Sequence, residues 1–278
     1  MKQTRVVTVQ DISCFGKCSL TVALPVLSAM GLECAVIPTA VLSTHTGGFH
    51  GWTFRDLTAD IPSVAEHWQR EGIGFDGLYT GYLGSPEQAA MIERFIADFH
   101  PGTVFIDPAM ADFGKLYAGF TMDIVDAMKS LCAKADYIVP NLTEASFLTD
   151  TDYDEGKLSD RSAIRELLTK LLSLGCKTAV ITGVQFDGKE GAAALDRAGQ
   201  YTEYLTDHLP VRCHGTGDVY ASIFFGGLMR GLPMDKALQI AADNTVRAIR
   251  ATMGDESQWY GVRFEAAIPA LLHDLGLA

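Results

Sequence analysis

The sequence has few basic residues for the number of acidic residues that it carries. It contains 22 Lys and Arg against 34 Asp and Glu, and its formal net charge is −12. Nucleic acids and anionic membranes are bound by neutralising their phosphates with Lys and Arg, so this balance argues against both partners. It is compatible with a small phosphate-bearing ligand, because backbone amides and a metal ion can hold such a ligand locally.

Long apolar runs and linkers are missing as well. No stretch of about 18 apolar residues occurs, so we expect no membrane span. The first segment, MKQTRVVTVQD, breaks its short apolar run with polar residues, unlike a signal peptide, and this predicts a cytoplasmic protein. The chain has no Pro- or Ser-rich linker, low-complexity segment or internal repeat, and residues 1–278 are therefore predicted to form a single domain.

Several common site signatures are also absent. The six cysteines form no Cys-x-x-Cys pair and show no zinc-site spacing, so we expect reduced thiols rather than disulfides or a zinc centre. The Walker pattern GxxxxGK[ST] does not occur, and neither does GxGxxG. The sequence therefore lacks the fingerprints of P-loop nucleotidases and of nicotinamide-dependent enzymes.

Two alternating patterns are present instead. Short runs rich in Val and Ile predict strands at residues 6–9, 34–42, 77–82, 103–108, 137–141 and 178–183. Amphipathic runs predict helices at residues 19–31, 61–72, 85–99, 122–135 and 162–175, from Asp218 onward, and at residues 234–252 and 263–275. Pro25 either kinks the first helix or marks a late start. Residues 191–206 predict an antiparallel hairpin that turns at Ala198-Gly199, at a sheet edge.

This alternation predicts an α/β fold of three layers, with a mainly parallel central sheet and helices on both faces. Ligands of such folds bind beyond the carboxyl ends of the strands. The loops that follow the predicted strands are all polar, small or acidic, although the strands are apolar. They read VQD, STHTGG, TGYLGS, DPAMAD, PNLTE and TGVQ. We therefore expect these loops to share one site.

The segment Gly215-Thr216-Gly217-Asp218 directly precedes an apolar helix. Glycines let backbone amides approach a ligand closely, and a helix N-terminus carries about half a positive charge. Together these features can hold a phosphate during its transfer, and an acid in the first turn can accept the proton of the attacking hydroxyl. The alternative interpretation is a Gly-rich turn followed by an acid that merely favours the start of the helix.

Two polar segments are candidates for a magnesium site. Asp107 and Asp112 lie five residues apart at the end of a predicted strand, and Asn141 and Glu144 lie three apart at the opening of a helix. Both spacings suit a hydrated Mg²⁺. The alternatives are solvated loop acids for the first pair and a helix cap for the second.

These motifs, taken in chain order, resemble those of the ribokinase-like superfamily: D-P-x-M, then N-x-x-E, then GTGD before an apolar helix. The segments STHTG (residues 43–47) and TGYLGS (residues 80–85) resemble the vitamin B6 kinases, the pyridoxal/pyridoxamine kinase branch. The resemblance extends from Gln10 to at least Thr245. It implies a ribokinase-like three-layer sandwich that phosphorylates the 5′-hydroxyl of a B6 vitamer with ATP and Mg²⁺. It also implies a homodimer and a monovalent cation such as K⁺.

The resemblance further implies a role for each matching residue. Asp218 is expected to be the catalytic base, and Gly215, Thr216 and Gly217 to form the anion hole around the transferring phosphate. The other expected sets are Asn141, Thr182 and Gly183 at the nucleotide phosphates, Asp107, Asp112 and Glu144 near the metal, and Asp11, His45, Thr46 and Tyr82 at the pyridine ring.

Three positions depart from the family pattern. Asp11 stands where many B6 kinases place a Ser, which leaves the preferred vitamer (pyridoxal, pyridoxine or pyridoxamine) open. Val139 and Gly183 stand where some relatives have Thr and Ser, and backbone amides can substitute for those hydroxyls.

Two other functions stay open at the level of sequence. Hydroxymethylpyrimidine kinases belong to the same superfamily, but they often carry Cys at the position of Asp218, and Cys213 lies on the other side of the glycines. A protein that binds a vitamer or nucleotide without turnover is the alternative of a different class. The presence of Asp218, Asn141 and Glu144 argues against it.

Overall fold

A mixed sheet runs through the residues that the computed structural model describes, which are 3–156 and 159–278. The strands are β1 (Arg5–Ser13), β2 (Glu33–Leu42), β3 (Phe54–Asp56), β4 (Gly77–Thr80), β5 (Thr103–Ile106), β6 (Ala111–Asp112), β7 (Lys115–Leu116), β8 (Tyr137–Ile138), β9 (Thr178–Phe186), β10 (Lys189–Asp196) and β11 (Tyr201–Asp207). Within the described residues, the large sheet has the order β11-β10-β9-β8-β5-β4-β1-β2-β3, and β6 pairs with β7 separately.

The pairing confirms a mainly parallel sheet. Strands β2, β1, β4, β5, β8 and β9 are parallel to their neighbours in this run. Strands β10 and β11 form the predicted antiparallel hairpin at one edge, and β3 is antiparallel to β2 at the other. The carboxyl ends of the parallel strands therefore meet at one edge of the sheet, as the polar loops predict.

Helices cover both faces of the sheet. They are α1 (Leu20–Ala29), α2 (Ile61–Arg70), α3 (Pro86–Phe99), α4 (Met122–Cys132), α5 (Leu142–Leu148), α6 (Arg161–Ser173), α7 (Thr216–Met229), α8 (Met234–Thr252) and α9 (Ile268–Asp274). Residues of α2 to α6 pack in one core cluster, and residues of α1, α7, α8 and α9 pack in the other. Because successive strand residues point to opposite faces, Val7 lies in the first cluster and Val6 in the second. The predicted three-layer arrangement is confirmed.

The structure differs from the predicted elements at several points. Helix α1 starts at Leu20 and continues through Pro25, so the late start is wrong. The last predicted helix is divided into a 3₁₀ turn, Phe264–Ala266, and the short α9. Strand β3 was not predicted, because its three residues are all exposed and show no apolar alternation.

The start of α7 is fixed by a close approach between two loops. Gly215 is the N-cap residue of α7, with φ of +80°. A Cβ atom on Gly215 would lie 1.8 Å from the carbonyl oxygen of Lys17, in the loop between β1 and α1. The left-handed conformation and the contact both require glycine at this position. The Gly-rich segment therefore lets α7 begin directly against the β1–α1 loop.

We expect Gly215→Ala to destabilise the protein by at least about 1–3 kcal/mol, because the new methyl group cannot occupy the space of the Lys17 carbonyl group. Gly217→Ala is the matched control. Gly217 lies inside α7, and no atom lies within 4 Å of its added Cβ. Ala should therefore stabilise that position by about 0.5–1 kcal/mol. Urea unfolding measures both effects, and equal stabilities of the two variants would contradict this account.

Candidate active site

A cavity of about 930 Å³ lies at the carboxyl edge of the parallel strands. Every residue assigned to the site from the sequence lines it. These residues are Asp11, His45, Thr46, Tyr82, Asp107, Asp112, Asn141, Glu144, Thr182, Gly183, Gly215, Thr216, Gly217 and Asp218. Segments that are distant from one another in the chain therefore converge on one site.

Asp218 lies in the first turn of α7 and faces this cavity. Burial raises its pKa to about 7, and the negative charge of Asp11 adds to the increase. Hydrogen bonds from the backbone amides of Ser19 and of Asp218 itself act in the opposite direction. A carboxyl group with a pKa near neutrality can both accept and release a proton at physiological pH, which suits a general base.

Ser19 connects two of the acids. Its amide group donates to Asp218, and its hydroxyl group hydrogen-bonds to Asp11. Ser19 adopts φ of +52°, which is uncommon for a residue other than glycine. Ser19 cannot be recognised from the sequence, because a Ser before a helix indicates an ordinary cap, whereas here its side chain makes no cap hydrogen bond.

The first turn of α7 presents backbone amides to the cavity. The residues are Thr216 and Gly217, and the first amides of any helix have no intrahelical partner. The hydroxyl of Thr216 donates to the carbonyl of Cys213 at 3.3 Å, so the hydroxyl is turned toward the preceding loop. The helix dipole and these amides together favour an anion at this point.

Asn141 and Glu144 form a reciprocal cap at the start of α5. The Asn141 side chain accepts a hydrogen bond from the amide of Glu144 at 2.9 Å, and the Glu144 carboxylate accepts one from the amide of Asn141 at 2.9 Å. Glu144 also accepts from the amide of Met110 at 3.1 Å, and Asn141 donates to the carbonyl of Ala111 at 2.8 Å. The cap therefore ties the loop after β5 to α5.

Three carboxyl groups influence one another in this region. Burial raises the pKa of Glu144 to about 8, although its amide donors favour the ionised form. Burial, followed by the charges of Glu144 and Asp218, raises the pKa of Asp107 well above its usual range. The pKa of Tyr117 rises as well, because of burial and of the surrounding carboxylates. This part of the cavity is therefore crowded with acidic groups whose ionised forms are disfavoured.

Within the described residues, no group of three or more His, Cys, Asp or Glu is arranged to hold a metal ion by itself. Asp112 is exposed and binds the amide of Phe113 at 2.9 Å. Mg²⁺, however, usually keeps several waters and takes only one or two carboxylates, together with substrate phosphates. The carboxyl groups of Asp107, which is half-buried, and of Glu144, which is buried, fit a site that is completed by water and substrate phosphates.

Near the end of β1, Asp11 is 4% exposed and accepts a hydrogen bond from the hydroxyl of Ser13 at 2.9 Å. Burial raises the pKa of Asp11, and hydrogen bonds from the hydroxyls of Ser19 and Ser13 oppose that increase. The ring of Tyr82 stacks on Phe120, with centroids 5.4 Å apart and an interplanar angle of 13°. An acid and a flat aromatic surface therefore lie at the ends of the neighbouring strands β1 and β4.

His45 uses both of its ring nitrogens within the protein. Nδ1 accepts from the amide of Gly47 at 3.1 Å, and Nε2 lies 2.7 Å from the carbonyl oxygen of Tyr260. These partners place the proton on Nε2, since a carbonyl can only accept. His45 can thus offer a ligand only its ring face, whereas the side chain of Thr46 is exposed in the cavity.

Thr182 and Gly183 lie in β9 beside the loop that contains Asn141. The amide of Thr182 donates to the carbonyl of Pro140 at 3.0 Å. Gly183 has φ of +73°, and no atom lies within 4 Å of a Cβ added there. The backbone of this segment is therefore open to a ligand.

The cavity also has an apolar part that the sequence did not predict. This part lies between the loop after β11 and one face of α8, and its residues are Leu209, Val211, Ala242, Val246 and Ile249. The three α8 residues recur at helical spacing, which in sequence indicates only a face that packs on the core. Arg212 in the same loop was also missed.

None of the helices in the described residues combines the length and hydropathy that a membrane crossing requires.

Comparison with known proteins identifies the family. The family model for phosphomethylpyrimidine kinase matches residues 22–261. A pyridoxine/pyridoxal/pyridoxamine kinase of Bordetella avium is 28% identical over 260 residues, which cover 89% of this chain and 85% of the relative.

Two solved structures are more similar to this chain than the Bordetella avium relative is. A Bacteroides thetaiotaomicron protein assigned to the phosphomethylpyrimidine kinases, in a crystal form with pyridoxal, is 37% identical with a TM-score of 0.91, covering 97% of this chain and 96% of that one. The pyridoxal kinase of Lactobacillus plantarum is 34% identical with a TM-score of 0.91 and covers 98% of each chain. The chain therefore belongs to the phosphomethylpyrimidine kinase family and, within the ribokinase-like superfamily, to the vitamin B6 kinases.

Proposed function

We propose that this protein transfers the γ-phosphoryl group of ATP to the 5′-hydroxyl of a vitamin B6 vitamer, in a salvage reaction, with Asp218 as general base. One observation carries the proposal: a carboxyl group with a pKa near 7 lies beside the amides of a helix N-terminus, inside a deep cavity. Asp218 accepts the hydroxyl proton, the new O–P bond forms, the bond from the γ-phosphorus to the β-phosphate oxygen breaks, and ADP leaves.

The vitamer is proposed to lie beyond the ends of β1 and β4. Asp11 can hydrogen-bond a polar ring substituent, Tyr82 offers a flat surface, and His45 and Thr46 border the same space. The Bacteroides relative was crystallised with pyridoxal, which supports a pyridine ligand for this chain.

ATP is proposed to occupy the other part of the cavity. The apolar surface of Val246 and Ile249 suits a purine, and the open backbone at Thr182 and Gly183 suits phosphates. The N-terminus of α7 then receives the transferred phosphoryl group, and its dipole stabilises the charge on the phosphoryl oxygens.

Asp107, Asp112 and Glu144 are proposed to hold Mg²⁺ through water molecules and the phosphates. When bound, the ion neutralises phosphate charge. Asn141 and Glu144 keep the loop after β5 in place for this purpose through their cap. We further propose that the protein acts in the cytoplasm as a homodimer of single-domain subunits.

Phosphorylation of hydroxymethylpyrimidine is the second candidate, and the match to the phosphomethylpyrimidine kinase model favours it. A panel of pyridoxal, pyridoxine, pyridoxamine, hydroxymethylpyrimidine and ribose, each with Mg²⁺ and ATP, separates the candidates when products are identified by mass. We expect at least one B6 vitamer to be turned over well above the other compounds. Turnover of hydroxymethylpyrimidine alone would select the second candidate, and binding without turnover would indicate a carrier.

Asp218→Asn is expected to lower kcat by about 10²- to 10⁴-fold, the usual contribution of a general base. Asp123→Asn is the control, because Asp123 lies in the first turn of α4 and outside the cavity.

In the unaltered protein, kcat/KM should fall about tenfold for each pH unit below about 7, since protonated Asp218 cannot accept the hydroxyl proton. A pH–rate profile without this acidic limb, or an Asp218→Asn variant that retains most of its rate, would exclude Asp218 as the base.

Glu144→Gln should raise the Mg²⁺ concentration for half-maximal rate by about 10- to 100-fold, the usual cost of losing a group that orients a metal site. Glu155→Gln removes a charge from the exposed part of the same cavity and serves as control. The rate is measured against Mg²⁺ at saturating ATP, after thermal melts show that both variants fold. Equal Mg²⁺ requirements in the two variants would limit Glu144 to its capping role.

A further inference from the structure

The cavity contains a marked imbalance of charge. Within the described residues, Arg212 is its one Lys or Arg. The acids that line the same cavity are Asp11, Asp107, Asp112, Glu144, Glu155, Glu190, Asp207 and Asp218. A nucleotide triphosphate is itself strongly anionic, so it needs positive partners that this lining otherwise supplies only through amides and a bound cation.

Arg212 is held at the rim of the cavity without using its hydrogen-bond donors. Its guanidinium group lies 4.2 Å from the ring centroid of Phe113, and its charge opposes the rise in the pKa of Asp112 that burial causes. Among the described residues, the guanidinium makes no hydrogen bond and no ion pair within 4 Å, and it acts on the neighbouring Asp112 only through its charge. All five of its N–H groups are thus available to a ligand.

The ring beneath Arg212 belongs to a well-fixed turn. Phe113 and Gly114 connect β6 to β7, both with positive φ, and the amide of Gly114 donates to the hydroxyl of Thr143 at 3.0 Å. Phe113 is nevertheless 56% exposed. An aromatic face held in this way positions the guanidinium and leaves its edge free, because the cation–π contact uses only the face.

Arg212 is close in sequence to the segment that is proposed to bind the transferred phosphoryl group. It precedes Gly215 by three residues, in the loop that joins β11 to the N-terminus of α7. The same loop contributes Val211 to the apolar part of the cavity. Along the chain, Arg212 therefore lies between Val211, on the surface proposed for the purine, and the amides proposed for the γ-phosphoryl group.

We propose that Arg212 binds the phosphate groups of the nucleotide, with Phe113 holding its guanidinium in position. This inference depends on the proposed function only for the identity of the nucleotide. A planar guanidinium can donate two parallel hydrogen bonds to phosphate oxygens, which are stronger than bonds between neutral groups. Arg212 is thus a binding residue for the phosphates, distinct from the proton acceptor.

Titration calorimetry with ADP and Mg²⁺ tests the inference on the full chain. Arg212→Met, which retains an unbranched apolar side chain, should weaken ADP binding by about 10- to 100-fold, and Arg212→Lys by less, because Lys keeps the charge but not the fork. Adenosine, which has no phosphate, should bind all variants equally. Arg94→Met is the matched control, since Arg94 is exposed on α3 and outside the cavity.

The salt dependence provides a second measurement. Raising KCl from about 50 to 300 mM should weaken ADP binding to the unaltered protein more than to the Arg212→Met variant. Salt screens the attraction between the Arg212 guanidinium and the phosphates, and the variant lacks this attraction. Unchanged ADP affinity in Arg212→Met, or an equal loss for adenosine, would overturn the inference. If the substrate panel shows no turnover but ADP binding still depends on Arg212, the proposed function fails and the phosphate site stands.

Discussion

The poor solvation of three neighbouring carboxyl groups, to which the charges around Asp107 add, is the constraint on which the site depends. Asp107, Glu144 and Asp218 share one cavity, and burial raises the pKa of each. The three acids differ in the groups that stabilise their negative charge. Glu144 receives amide hydrogen bonds, Asp218 lies at a helix N-terminus, and the Asp107 carboxyl group receives no hydrogen bond from the described residues. A cation that arrives with phosphates would offset these acids, so the proposed function implies that metal and nucleotide bind together rather than the metal alone.

Strand order places these acids within reach of one another. The chain passes from β1 through α1 to β2 on one side, and the later strands β4 and β5 are added on the other side of β1. Because α1 and α3 cover opposite faces, the loops after β1 and β4 separate and leave a crevice at their carboxyl ends. Asp11 and Tyr82 lie in that crevice. Helix α7 then brings Asp218 to it by packing against the carbonyl of Lys17, through a position that only glycine can occupy.

The sequence predicts more of the site than of the individual elements. Apolar strands followed by polar loops were sufficient to locate the cavity, because parallel strands must end at a common edge. Local patterns did not predict β3, the role of Ser19 or the position of Arg212. Each of these depends on contacts between distant segments: β3 on pairing with β2, Ser19 on Asp218, and Arg212 on Phe113. Neither residue type nor spacing reports such contacts.

The pair Asn141 and Glu144 shows why a helix cap and a ligand site need not exclude each other. Once ionised, the Glu144 carboxylate has about four lone-pair directions. Three amides approach Glu144, those of Met110 and Ala111 at Oε1 and that of Asn141 at Oε2, so one direction at Oε2 remains. Likewise, Asn141 donates only one of its two side-chain N–H bonds, to Ala111. The cap thus fixes both side chains and still leaves each of them one group with which to bind a metal-bound water or a phosphate oxygen.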